Sequence, residues 1–236
     1  MSVLSQCDQQ WDQQWVAASW DLDALGLNVP KLETLKKLGF GAFEELAAVD
    51  KLAQPAHPEE PWSKPCKRVV TALKAWITLV DQGGDADGAW DGLVSVARAV
   101  LVERAKWRAI FAASAKTRAD SAKQHAAAAF KTRYNDARSF DYRVEHTELI
   151  GEDIQKVHES RREAWVVANQ YLKASEQVAE LAAQSAKQAE QAELAKQAVL
   201  AASRVTDAAK AAHDAQVAQR AADDATDLAE SLIMED

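Results

Sequence analysis

The sequence predicts an all-α protein: a small N-terminal helical domain followed by a long Ala-rich, antiparallel, coiled-coil-like helical hairpin. Two observations support this prediction. All five Pro and seven of the eight Gly precede residue 93, and alanine supplies much of the apolar content beyond residue 110. Gly and Pro cost about 1 and 3 kcal/mol inside a helix, so their absence permits very long helices. We therefore expect domains at 1–88 and 89–236.

The first helix is predicted from apolar residues that recur at steps of three and four between Leu4 and Leu22. Its face includes Trp11 and Trp15, and Trp20 follows closely. These three tryptophans are candidates for partner binding, with packing inside the N-terminal domain as the alternative. A membrane anchor is disfavoured because the neighbouring charges are all acidic.

Three more short helices are expected before residue 82. Gly39 is placed to end the second helix, and four prolines between residues 54 and 65 predict a loop. A glycine-rich break is expected at residues 82–92. The apolar faces expected on these helices consist of Leu32, Leu35 and Leu38; of Phe40, Phe43, Leu46, Val49 and Leu52; and of Val69, Leu73, Trp76 and Val80.

The hairpin prediction is supported by charge. Residues 101–150 carry 10 Lys and Arg against 6 Asp and Glu, whereas residues 151–236 carry 9 against 16. A basic helix and an acidic helix can pair antiparallel through a turn near residues 147–152, which contains Gly151. Apolar positions from Trp107 to Val144, interrupted by Arg118 and Arg133, advance by an average of about 3.7 residues, which suits a straight or slightly right-handed pair.

If the final segment is one unbroken helix, its roughly 80 residues extend on the order of 120 Å. The alternative is a division into shorter bundle helices at Asn135-Asp136, Thr206-Asp207 or Asp223-Asp224. A seven-residue register begins at Leu194, with Gln219 and Thr226 as its polar members. The seam residues predicted to bind a partner or a second copy are Leu194, Ala201, Val205, Ala208, Ala212 and Ala215.

A basic stripe recurs every seven or eight residues through the hairpin's first helix. It contains Arg108, and its candidate phosphate contacts are Lys116, Lys123, Lys131 and Arg138. The competing interpretation is that acidic residues of the final helix neutralise this face. The net charge of −8 favours that interpretation, so nucleic acid is not the expected partner.

Two short segments resemble known families. LKKLGFGAFEELAAV, residues 35–49, resembles a helix-hairpin-helix DNA-binding element, which implies phosphate contact by the Gly39–Gly41 turn. HPEEPWSKP, followed by a helix with Ala75-Trp76, resembles bacterial immunity proteins, which implies inhibition of a protein toxin.

No pattern for catalysis or for cofactor binding emerges. The calcium-like Asp85, Asp87 and Gly88 lack the final carboxylate, and no His is preceded by Glu at the di-iron spacing. We expect no metal, no cofactor, no catalytic residue and no small-molecule substrate. Two cysteines and the lack of a signal sequence or membrane span lead us to expect a cytoplasmic location.

The sequence therefore favours a non-enzymatic structural, scaffolding or adaptor protein that self-associates or docks a protein partner through its long helices. Two alternatives remain. One is an immunity-type inhibitor, and the other is a nucleic-acid-binding protein that uses the Gly39–Gly41 turn or the basic stripe.

Overall fold

The computed structural model describes residues 42–53, 63–84, 86–146 and 152–233. Within these ranges every regular element is a helix, which confirms the all-α prediction. The described helices are α1 (Ala42–Ala53), α2 (Ser63–Asp81), α3 (Ala86–His146), α4 (Glu152–Ala201) and α5 (Val205–Ser231). Trp11, Trp15, Trp20, the Gly39–Gly41 turn and most of the proline-rich loop lie outside the described residues.

The helices group into two compact units. Unit 1 takes the described residues up to 104 together with 201–210, and unit 2 takes the remainder. This division differs from the expected boundary at residue 88, because the start of α3 contributes to the core of unit 1. The predicted glycine-rich break is also shorter than expected, since α3 begins at Ala86 and includes Gly88 and Gly92.

Unit 1 has a core of large apolar side chains. Helix α1 packs against α2, and the ring centroids of Trp76 and Trp90 lie 5.4 Å apart at an interplanar angle of 58°. The predicted faces of α1 and α2 are confirmed at the residues whose burial is described, because Leu73 is half-buried and the others are buried. Leu32, Leu35, Leu38, Phe40 and the side chain of Phe43 lie outside what the structure describes. The buried residues of this core include Leu46, Val49, Leu52, Val69, Trp76, Val80, Trp90 and Leu93.

Helix α2 ends where its glycines predict. Gly83 has a φ of 66°, in the left-handed region that favours glycine. Its N–H donates to Val80 O at 3.2 Å, and the N–H of Gly84 donates to Leu79 O at 2.9 Å. These two bonds form a Schellman motif, which satisfies carbonyls that the helix end leaves free.

Unit 2 contains three packed helices instead of a two-helix hairpin. Helix α4 runs antiparallel to α3, because Asp141 contacts Arg161 while Ala126 packs near Val178. Helix α5 runs parallel to α3, because Arg108 contacts Gln219 while Ala115 contacts Thr226. The antiparallel α3–α4 pair matches the predicted hairpin, but the final segment folds back as a third helix.

Of the two alternatives for the final segment, the division into shorter helices is the one observed, since α4 ends at Ala201 and α5 begins at Val205. Two arginines hold this break within unit 1. The Arg98 guanidinium donates to the carbonyl of Ala202, and Arg204 lies 3.3 Å from Glu44 and 3.4 Å from Glu45. Of the three weak points considered, only Thr206-Asp207 adjoins a break, whereas Asn135-Asp136 and Asp223-Asp224 lie inside α3 and α5.

The seven-residue register is confirmed along α5. Its buried positions are Val205, Ala208, Ala212, Ala215, Gln219, Ala222, Thr226 and Ala229. Helix α3 has the same spacing, because Ala105, Ala112, Ala119 and Ala126 are buried at intervals of seven. This seven-residue spacing is typical of left-handed helix packing and replaces the predicted period of about 3.7 on the first part of the face. Beyond Ala126 the predicted positions hold, because Ala137 is buried and Ala129, Arg133, Phe140 and Val144 are half-buried.

Candidate functional site

A buried polar contact sets the relative positions of the three helices in unit 2. Thr226 Oγ1 lies 3.0 Å from Ser185 Oγ, 3.0 Å from Ala115 O and 2.8 Å from Ala222 O. Thr226 and Ser185 are both fully buried. A buried hydroxyl without a partner is costly, so this contact favours one register of α3, α4 and α5.

The alanines next to this contact form a thin core. Ala112, Ala115, Ala192, Ala218 and Ala222 pack together, with contributions from all three helices. Small side chains allow the helix axes to approach closely. They also bury little apolar area per residue, so this core alone removes little apolar surface from water.

A shallow groove runs between α4 and α5 on such an outer face. It has a volume of about 450 Å³ and is open to solvent. Leu194 on α4 and Val217 on α5 line it, although they are 56% and 53% exposed. The other lining residues are Gln188, Gln191, Ala195, Ala198, Asp214 and Ala218. Apolar side chains therefore line both helices of the groove, with alanines between them.

The structure separates the six predicted seam residues. Leu194 and Ala201 are exposed on α4, whereas Val205, Ala208, Ala212 and Ala215 are buried by the chain's own helices. The break at residues 202–204 explains the difference, because a register that crosses it continues on another helix. Of the six, only Leu194 lines the groove.

Val217 is the groove residue that the sequence analysis missed. It belongs to neither seam of the α5 register, yet it is apolar in a helix whose exposed positions are mostly polar. The signal in the sequence was an apolar residue at a position outside the predicted seven-residue register. Its significance depends on Leu194 lying across the groove, which only the α4–α5 packing creates.

The acidic final helix pairs with Arg118, one of the two residues that interrupt the predicted apolar face of α3. Arg118 lies 3.0 Å from Asp227, 3.5 Å from Glu230 and 4.0 Å from Asp223. The other interruption, Arg133, lies over the ring of Tyr171 with its guanidinium carbon 5.4 Å from the centroid. The predicted charge attraction between the basic and acidic segments thus operates through Arg118.

The basic stripe is not neutralised in this way. Lys116, Lys123, Lys131 and Arg138 are all exposed on α3. Within the ranges that the structure describes, no ion pair involves the three lysines. Arg138 lies close enough to Asp141 to affect its titration.

Larger side chains join α3 and α4 towards residue 146. Asp141 Oδ1 accepts a hydrogen bond from Trp165 Nε1 at 3.2 Å and from Arg161 Nε at 2.6 Å. The hydrogen bond from Trp165, together with Arg161 and Arg138, lowers the pKa of Asp141 against a smaller opposing effect of burial. Trp165 also meets Tyr134 edge-on at 5.7 Å.

In the part of the chain that the structure describes, no group of three or more His, Cys, Asp or Glu side chains is placed to hold a metal ion. In the same residues, no helix is both long enough and apolar enough to cross a membrane. The lining of the groove offers apolar contact at Leu194 and Val217 and hydrogen-bonding groups at Gln188, Gln191 and Asp214.

The fold and the groove define the class of this chain as an all-α protein with a groove between two helices. No protein-family model, no curated protein and no solved structure matches the chain.

Proposed function

We propose that this chain is a structural or adaptor protein that docks a helix of another protein chain in the groove between α4 and α5. The single observation that carries the proposal is the exposure of Leu194 and Val217 on the two helices that form the groove. Single exposed apolar residues are common on protein surfaces. Leu194 and Val217, however, lie on the two sides of one groove with alanines between them, so together they make a continuous apolar patch.

The groove suits a helix better than a small polar ligand. Leu194, Ala195 and Ala198 recur at helical spacing on α4, as Asp214, Val217 and Ala218 do on α5. An amphipathic helix can place its apolar side chains between such ridges. Gln188, Gln191 and Asp214 would then lie at the edges, where hydrogen bonds orient the docked helix.

Site-specific photo-cross-linking in the protein's native cells tests the proposal. A photoreactive amino acid at Gln191 samples the groove, and one at the exposed Ser114 of α3 samples the same unit outside it. We expect a product of defined mass from position 191 and none from 114. The Leu194→Gln/Val217→Gln variant should lose that product, because two polar groups then replace the apolar patch.

A matched control is available on α3. Ile110 is 54% exposed in the same unit but does not line the groove, so Ile110→Gln should keep the cross-link. Equal products from positions 191 and 114, or a product that persists in the double groove variant, would overturn the docking proposal.

Nucleic-acid binding is a second candidate, favoured by the exposure of Lys116, Lys123 and Lys131 without ion pairs among the described residues. Three phosphate contacts should make binding fall with salt, contributing about 2 to 3 to the slope of log K against log salt concentration. Fluorescence anisotropy with a DNA duplex at low salt measures this slope.

The matched comparison replaces three lysines on each helix. Changing Lys116, Lys123 and Lys131 to Gln should remove most of the binding, whereas changing Lys156, Lys173 and Lys196 of α4 should leave the stripe's contribution intact. An identical loss in both triple variants would reduce the effect to net charge and exclude the stripe as a site.

A further inference from the structure

The groove is bordered by a pattern of charges as well as by apolar residues. On α4, Lys187 precedes Leu194 by seven residues, and on α5, Asp224 follows Val217 by seven. Residues seven apart lie on the same face of a helix. All four side chains are exposed. Each helix therefore presents one apolar and one charged side chain, and the two charges are opposite.

The Ser185–Thr226 contact determines which residues of α4 and α5 lie at the same height along the two helices. Residues at the same height are called level. Because α4 and α5 are antiparallel, each step forward on α4 matches a step backward on α5. Two steps from the contact bring Lys187 level with Asp224, and nine steps bring Leu194 level with Val217. Glu190 and Arg220, both exposed, fall within one residue of level.

These opposite charges do not pair with one another in the part of the chain that the structure describes. Among the described residues, no ion pair involves Lys187, Glu190, Arg220 or Asp224. Charges that are complementary and level, but unpaired, border an apolar patch that is also uncovered. Together they describe a surface that is complementary to itself.

From this self-complementarity we infer that the chain docked on the groove is a second copy of this chain, whose own α4–α5 face covers it, an inference that rests on the proposed docking function. Helix α4 of each copy lies antiparallel on α5 of the other, around a two-fold axis parallel to these helices. Rotation about such an axis preserves the levels. Lys187 of one copy then meets Asp224 of the second copy, and Leu194 meets Val217.

The two-fold symmetry doubles every contact. Each Lys187–Asp224 pair occurs twice, as does each meeting of Glu190 with Arg220, because both copies use the same patch. Leu194 and Val217 from both copies enclose the alanine floors of both grooves. A four-helix layer of this kind buries the apolar patch and surrounds it with paired charges.

Analytical ultracentrifugation of the purified full chain tests the inference. The wild type should be a dimer, Leu194→Gln/Val217→Gln should be a monomer, and Ile110→Gln should remain dimeric. Circular dichroism checks that each variant keeps its helices. A wild type that stays monomeric, or a dimer that the groove variant leaves intact, overturns the second-copy inference.

Charge reversal tests the arrangement itself. Lys187→Glu and Asp224→Lys should each weaken the dimer roughly tenfold, because each replaces two attractions with two repulsions between exposed side chains. Mixing the two variants should restore the affinity, since a heterodimer again sets opposite charges against each other at both places. Pairing within one chain predicts no rescue on mixing, so absence of rescue rejects this geometry.

The two proposals fail differently. If the wild type is monomeric and position 191 still gives a site-specific cross-link to another protein, the groove docks a different partner and only the second-copy inference falls. If the cross-link is absent as well, both fall.

Discussion

At the scale of single residues, two glycines in unit 1 have opposite effects on stability. Gly83 adopts a left-handed φ at the end of α2, while Gly92 lies inside α3. A Cβ added at either position meets no atom within 4 Å. The difference between them therefore comes from the backbone alone, because only Gly83 holds a conformation that disfavours other residues.

Replacing these glycines with alanine should change stability in opposite directions. We expect Gly83→Ala to lower the free energy of unfolding by about 1–2 kcal/mol, the cost of a left-handed Cβ. Gly92→Ala should raise it by about 0.5–1 kcal/mol, because alanine loses less conformational entropy in a helix. Urea denaturation of both variants provides the comparison, and a shift in the same direction for both would contradict the assigned conformations.

At the scale of helices, polar side chains define how the alanine-faced segments meet. Alanine seams alone permit several registers, since one small residue resembles the next. Thr226 limits this choice because its hydroxyl contacts Ser185 and the carbonyl of Ala115 at once. The sequence marked Thr226 as a polar member of the seam, but the partner on α4 became visible only in the packed structure.

Thr226→Val should destabilise unit 2 by about 1–3 kcal/mol, because the Ser185 hydroxyl loses its partner in a buried position. Thr117→Val is the matched control, since Thr117 bonds its own helix at Ala113 O but is exposed. Thermal unfolding of the two variants measures the difference. Equal losses would mean that the contact among three helices contributes nothing beyond a local hydrogen bond.

The break between α4 and α5 should depend on Arg98. Arg98→Met removes the guanidinium and leaves the carbonyl of Ala202 without this charged donor, which should lower the free energy of unfolding by about 1.5 kcal/mol. Hydrogen exchange of the amides in residues 202–208 should become faster. In Arg204→Met the change should be smaller, because Arg204 and Glu44 are largely exposed. Unchanged exchange in Arg98→Met would show that other contacts hold the break.

At the scale of the whole molecule, charge governs the response to acid. The chain carries 36 Asp and Glu, and protonating them removes any stabilising ion pairs they form. Asp141 is the described carboxylate with a lowered pKa, which results from Trp165, Arg161 and Arg138. A lowered folded-state pKa means that its contribution is present above the unfolded pKa and is lost as the pH falls through the folded value.

Asp141→Asn should therefore reduce stability at neutral pH and have a progressively smaller effect below about pH 4, the ordinary range of an Asp carboxyl. The melting temperatures of wild type and variant should converge as the pH is lowered. Asp120→Asn, at an exposed position without such partners in the described residues, controls for the general loss of a charge. A difference that does not change with pH would contradict the lowered pKa.

How much of the fold the sequence predicted differs from helix to helix, and interactions between residues close in the chain explain the difference. Helix positions followed from glycine, proline and apolar spacing, as the faces of α2 and the Gly83 cap illustrate. The register of α5 was predicted residue by residue, because apart from Gln219 one set of positions was apolar or small. On α3, where alanines occupy several faces, the predicted period of about 3.7 residues describes the buried face from Ala122 to Val144 but not the seven-residue spacing from Ala105 to Ala119.

The sequence by itself determined that the described chain is helical, where α2 ends and which face of α5 is buried, because these depend on interactions between residues close in the chain. Only the tertiary structure decided that α4 stops at Ala201 and that Leu194 and Val217 share a groove. The break lacks glycine and proline. It is held by Arg98, which reaches it from α3, and by its own Arg204, which contacts Glu44 and Glu45 on α1. Residues that lie far apart in the sequence carry no local signal that they contact each other. The break and the groove were therefore recognisable only in the folded structure.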